Sequence, residues 1–188
     1  MKSNLTGKKI GIPIATGFLE EQVVTARNFF VENGAAVDLI AVPLTQNEKT
    51  VSSDGTVVKE TKLLSQVKAD DLDAFILAGV SKENNTIMRM DELLITLVIE
   101  MDYREKVIAG YHRGANILYG SGILYGKRVF LQSEEARKAI EAINAIPVQQ
   151  GIVIDRNVIT VCAEEGNLKK MLNAVAFMLD SSKVAGLQ

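Results

Sequence analysis

"VIAGYHRGANILYGSG", residues 107–122, decides how the rest of this sequence is read. An apolar run ends at Tyr111-His112-Arg113-Gly114, and small and apolar residues with helical spacing follow without a linker. A strand that turns this abruptly into a helix is where α/β enzymes often present a nucleophile. The turn holds the only histidine of the protein, and neither serine nor cysteine. The stretch predicts the backbone of a nucleophile elbow without an ordinary nucleophile.

The neighbouring sequence predicts strands alternating with helices. Upstream, "KKIGIPIA" (8–15) reads as a strand and "EEQVVTARNFFVENG" (20–34) as a helix. In that helix Glu20 and Glu21 suit the positive end, Val23, Ala26 and Phe30 form a stripe, and Gly34 stops it. "AVDLIAV" (36–42) and "LDAFILAG" (72–79) read as strands. "TVSSDGTVVKE" (50–60) carries a hairpin signal at Asp54-Gly55. Asp91 is placed to cap a helix over 92–104, with Leu94, Val98 and Met101 inward. "KVIAGY" (106–111) is the strand before the turn, and 113–121 the helix after it. Downstream, 127–131 predicts a strand, 134–144 a helix, and 151–162 two β runs around Asp155-Arg156-Asn157. Leu168, Met171, Leu172, Val175, Met178 and Leu179 share one face of a last helix over 167–180. The six methionines are assigned to the core.

Such alternation implies an α/β three-layer sandwich, a mostly parallel sheet with helices on both faces. Ligands of these sheets bind beyond the carboxyl ends of the strands. That rim is expected to hold Thr16–Gln22, Ala78–Val80, Tyr111–Gly114, Gln132 and Cys162.

The 188 residues suit a single domain, 1–188, with an ordered core at about 8–180. A formal charge of -2 offers no basic face for nucleic acid. No apolar run is long enough to span a bilayer, and "MKSNLTGKKIGIPIA" has no signal-peptide core. One cysteine excludes an internal disulfide and fits a reducing, cytoplasmic setting. One histidine and no Cys/His cluster speak against a metal site.

The stretch "MRMDELLITLVIEMDYREKVIAGYHRGANILYGSGILYGKRV" (88–129) resembles the ThiJ/PfpI superfamily, which includes intracellular proteases and a Parkinson-linked protein. Members show an acidic helix start, a lysine, a strand ending "AICHGP" and then "G-L-L-x-G-x-x-V". Asp91, Lys106, Gly114, Gly122 and Gly126 fall on that pattern without a gap, and "GIVIDRNVIT" is similar to the family's "VVVDGNLIT". The resemblance covers about 8–180 and implies a flavodoxin-like, class I glutamine amidotransferase-like fold. It also implies a homodimer; no cofactor is expected. A shorter likeness, at "SSDGTVV" (52–58) and in the Gly-Tyr before the turn, is to the C-terminal domain of large catalases.

Carried over residue by residue, the family's chemistry is exchanged. Its nucleophilic cysteine falls on His112, and the histidine that often follows falls on Arg113. Its glutamate falls on Gln22. Its "PGG" becomes Ala78-Gly79-Val80, and a second histidine falls near Gln132. The resemblance thus implies a non-catalytic protein that binds a small molecule or a partner.

The alternative is a hydrolase or lyase, of protease/amidase or glyoxalase type, working through His112. An imidazole needs an orienting partner to act as base or nucleophile. Glu20 or Glu21 would serve if turned inward, but neighbours on a helix diverge by about 100°, so both cannot. The helix N-terminus behind His112 is expected to lower its pKa. Cys162 reads either as a relocated thiol activated by a helix N-terminus or Arg113, or as a small buried hydrophobe. Tyr111 takes the elbow position only if the register shifts by one.

Overall fold

Apolar runs and helical stripes assemble here into a main sheet with a helical layer on each face. The structure, a computed structural model, describes residues 3–42, 50–56, 62–130 and 134–180. The strands are β1 (Lys9–Ile14), β2 (Ala36–Ala41), β3 (Lys62–Leu63), β4 (Ala74–Leu77), β5 (Val107–Tyr111), β6 (Arg128–Phe130), β7 (Ile146–Val148), β8 (Ile152–Asp155) and β9 (Val158–Val161). The helices are α1 (Glu20–Glu32), α2 (Lys82–Met90), α3 (Glu92–Tyr103), α4 (Arg113–Ser121), α5 (Glu134–Ala142) and α6 (Asn167–Leu179).

Among the described residues the main sheet has seven strands in the order β3-β2-β1-β4-β5-β9-β8. All neighbours are parallel except β8 and β9, a hairpin at one edge. The sequence reading of a mostly parallel sheet flanked by helices holds.

The central strands are buried on both faces, which is why β4 and β5 read as unbroken apolar runs. Successive side chains go to opposite layers. Phe75, Leu77 and Ile108 meet Leu94, Val98, Met101, Ile117 and Leu118 from α3 and α4. Ala74, Ile76, Ala109 and Tyr111 meet Val23, Ala26, Phe30, Met171, Leu172 and Val175 from α1 and α6. Each large side chain buried this way contributes about 1.5–3 kcal/mol. Packing of these stripes, more than intrinsic propensity, holds helices of 9 to 13 residues.

Several expectations need correction. The sequence reading has no helix at 82–90, where "KENNTIMRM" carries two asparagines and only three apolar residues. The helix α2 forms because Ser81 caps it, its hydroxyl accepting from the Asn84 amide at 3.2 Å, and because Asn84 Nδ2 donates to Ala15 O. Asp91 does cap α3, through the Leu94 amide at 2.8 Å.

The 127–131 strand exists as β6 but leaves the main sheet and pairs in parallel with β7. Side chains of the β8–β9 hairpin take its amides instead. Arg128 N donates to Asp155 Oδ2 and Phe130 N to Thr160 Oγ1. The strand β7 was unexpected because Pro147 lacks an amide hydrogen, which a two-stranded ribbon tolerates.

At 50–60, Val51 and Ser52 run alongside Gly17 and Phe18, with Gly17 N donating to Val51 O at 2.6 Å. The turn at Asp54-Gly55 forms, and the second β run (57–60) lies outside the described residues. Met90 is 74% exposed, so not every methionine belongs to the core.

Candidate functional site

The turn from β5 into α4 is made within one residue, His112, at φ 51° and ψ -113°. Two glycines enforce it. A Cβ on Gly114 would lie 1.9 Å from Leu77 O, and one on Gly110 would lie 2.7 Å from Ala115 Cα. Only glycine at both positions lets α4 start directly on β4 and β5. The chain must then reverse at His112, in a region that L-residues rarely adopt. The backbone is held by His112 N donating to Val161 O at 2.7 Å and Ala115 N donating to His112 O at 3.1 Å.

The His112 imidazole is half-buried and makes no side-chain hydrogen bond among the described residues. Its pKa is held below the usual histidine range, chiefly by burial and secondarily by the Arg113 guanidinium. The direction matches the sequence expectation, but burial, not the helix N-terminus, is the leading cause. The Glu83 carboxyl is held below its ordinary range, first by its own backbone amide and the Ser81 hydroxyl, and last by the Lys82 and Arg113 charges.

Among the described residues no carboxylate orients the imidazole. Glu20 turns to the 50s loop, where its Oε2 lies 3.1 Å from Ser52 Oγ, and Asp54 Oδ1 shares that hydroxyl. The Ser52 proton serves one of the two at a time. The Ser52 hydroxyl, the Thr56 amide and then Glu20 hold the Asp54 carboxyl at about 2. Glu21 is exposed.

Gln22 instead reaches β4. Its Oε1 accepts the Gly79 amide at 3.1 Å, while Gly79 O accepts the Leu19 amide at 2.8 Å. Gly79 has φ 75°, and a Cβ there would sit 2.4 Å from Val23 Cγ2. Val80 is buried in the layer with Met88 and Leu94.

Tyr111 and Cys162 close the other side. The Tyr111 phenol is pushed up by burial and by the neighbouring Cys162 thiol. Cys162 is 8% exposed, and its amide donates to Gly151 O. Asn167 Nδ2 donates to its Sγ at 3.0 Å and lies 3.3 Å from Glu164 Oε2. Lys170 Nζ in turn donates to Asn167 Oδ1.

The structure thus brings Gln22 to Gly79, and Tyr111 and His112 to the end of β9 beside Cys162. All stand at the carboxyl ends of the parallel strands β1, β4, β5 and β9. It does not bring Glu20 or Glu21 to His112, and Gln132 lies outside the described residues. Sequence reasoning missed Ser52, Asn84 and Asn167. Each is a buried polar residue in or beside a loop, and only burial distinguishes it from a solvated one.

Among the described residues no three His, Cys, Asp or Glu side chains are grouped to hold a metal ion. None of their helices is long and apolar enough to cross a membrane.

An elbow of this geometry on this sheet order can be set against known proteins. The pattern of the DJ-1/PfpI family matches residues 8–176. The chain belongs to the DJ-1/PfpI family. An uncharacterised protein of Methanocaldococcus jannaschii is 30% identical over 166 residues, covering 85% of this chain and 77% of that protein. The crystal structure of a ThiJ/PfpI domain protein from Brachyspira murdochii has a TM-score of 0.78 at 21% identity, covering 93% of this chain and 99% of that one. A two-domain protein from Anabaena variabilis, with DJ-1/ThiJ/PfpI-like and ferritin-like domains, has a TM-score of 0.77 at 22% identity. The present chain is covered to 92% and spans 48% of that longer protein. At such identities the two structures speak for the DJ-1/PfpI fold alone.

Proposed function

We propose that this DJ-1/PfpI-family chain has lost thiol catalysis at its elbow and acts by binding a small molecule or a protein partner, as a cytoplasmic homodimer. The observation that carries this reading is the His112 imidazole at the elbow, which has no hydrogen-bond partner among the described residues. A base or nucleophile of this kind needs a second group to orient it. Nearby, the Gly79 amide, a donor that could face a developing oxyanion, is already taken by Gln22. The only thiol, Cys162, sits at the end of β9 and is almost wholly buried. The homodimer rests on the family resemblance, and the exposed Met90 (74%) and Leu93 (58%) where α2 meets α3 are in keeping with a covered face. The cytoplasmic setting rests on the single cysteine.

One observation favours the second reading, a hydrolase or lyase with altered chemistry. The strained elbow backbone is kept at a non-glycine residue whose imidazole is biased to the neutral form. A screen of small aldehydes, amides and esters separates the two. Binding without catalysis expects no turnover above background in the wild type. Turnover lost in His112→Ala supports the altered enzyme. Turnover lost on alkylation of Cys162 overturns both readings.

A further inference from the structure

A cleft of about 450 Å³ opens at the other end of the sheet, lined by Asp102, Glu105, Lys127, Arg156, Asn157 and Met178. Glu105 precedes β5, and Arg156 and Asn157 precede β9, so the elbow lies at the far end of the same strands. The floor is a part-buried polar network around the buried Lys127. The Lys127 side chain is 5% exposed, and its ammonium donates to Asp102 Oδ1 at 2.6 Å and to Ile123 O at 2.7 Å. Its third N–H has no protein acceptor among the described residues. Asn157 Nδ2 donates to the same Asp102 oxygen and to Lys106 O.

The rim carries two charges, Glu105 and Arg156. Neither makes an ion pair among the described residues, with the other or with anything else. Both hold a left-handed backbone, each at φ 54°, where glycine would be less strained. A buried charged side chain with a spare donor calls for an acceptor. Arg156 adds a second donor set for an oxyanion. Asp102 and Glu105 would repel a ligand carrying only negative charge. Met178 supplies an apolar wall.

We propose that this cleft binds a small zwitterion of the α-amino-acid class. Its carboxylate would lie between Lys127 and Arg156, its ammonium at Glu105, and an apolar side chain against Met178. This does not depend on the reading of the elbow.

Calorimetric titration of the whole chain with L-leucine as the probe tests it. Saturable binding with a Kd of about 1 mM or tighter is expected. L-leucinamide, without the carboxylate, and N-acetyl-L-leucine, without the ammonium, should bind at least about tenfold more weakly. Removing Lys127 would disturb the buried network, so the informative variants are Arg156→Gly and Glu105→Gly. Glycine suits both backbones, so both variants should keep the wild-type melting temperature while losing at least about tenfold in affinity. No saturation up to about 20 mM would overturn the proposal. Equal binding of the amide, or undiminished binding by Arg156→Gly, would do the same.

Discussion

Gln22 and Gly79, 57 positions apart, are joined by a hydrogen bond of 3.1 Å from the Gly79 amide to the Gln22 side-chain oxygen. It ties the first turn of α1 to the end of β4 and occupies a backbone donor beside the elbow. Gln22→Ala would leave that amide without its partner and should cost about 0.5–1.5 kcal/mol. Gln22→Glu keeps an acceptor in place and should cost less. Urea denaturation of both variants checks the order.

Gly114→Ala should be far more damaging. A Cβ 1.9 Å from Leu77 O cannot be accommodated by a rotamer change, because the atom it meets is backbone. Helix α4 would have to leave the sheet, at a cost of more than about 4 kcal/mol. That approaches the whole stability of an ordinary domain. The expected result is loss of a cooperative melt by circular dichroism. Gly110→Ala, whose Cβ meets Ala115 Cα at 2.7 Å, should be the milder of the two.

His112 holds a backbone that glycine adopts readily, and among the described residues its imidazole has no hydrogen bond to lose. His112→Gly should therefore be more stable than His112→Ala by about 1 kcal/mol. Ala loses the imidazole packing and keeps the strain. Thermal melts of the two variants side by side decide this, and an Ala variant that equals or exceeds Gly would show that the elbow is unstrained.

Protonation of the same residue predicts a pH dependence. His112 has a pKa below 6.5 in the folded protein and near 6.5 when unfolded. Between these values the unfolded chain binds more protons, so stability rises with pH. The contribution is intact above about 6.5 and is lost as pH falls through the folded-state value. His112 is the only histidine, so His112→Asn should flatten the stability profile between about pH 7 and 5. Melting temperatures of both proteins across that range test it, and parallel curves would count against a depressed pKa.

Local pattern carries far in this protein. The 107–122 stretch alone specifies a strand, a one-residue turn and a helix, because Gly110 and Gly114 are spaced to let the helix touch the sheet. The stripes of α1, α3 and α6 and the double-sided burial of β4 and β5 are periodicities of 3.6 and 2, visible in sequence because they repeat within a few residues. What only the tertiary structure decided is pairing between distant segments. Nothing near Gln22 says that its amide meets Gly79 while Glu20 turns to Ser52, since both follow one helical turn and diverge only by angle. Nothing near Phe130 says that Thr160 will take its amide and draw β6 out of the main sheet. The helix α2 depends on a cap at Ser81 and on Asn84 reaching Ala15, 69 residues away. The cleft at the foot of the sheet is built the same way, from Asp102, Lys127 and Asn157 on three separate elements. Hydrophobic faces are encoded locally, but buried polar groups find their partners only after the chain has closed, because each must be satisfied by whatever the topology brings beside it.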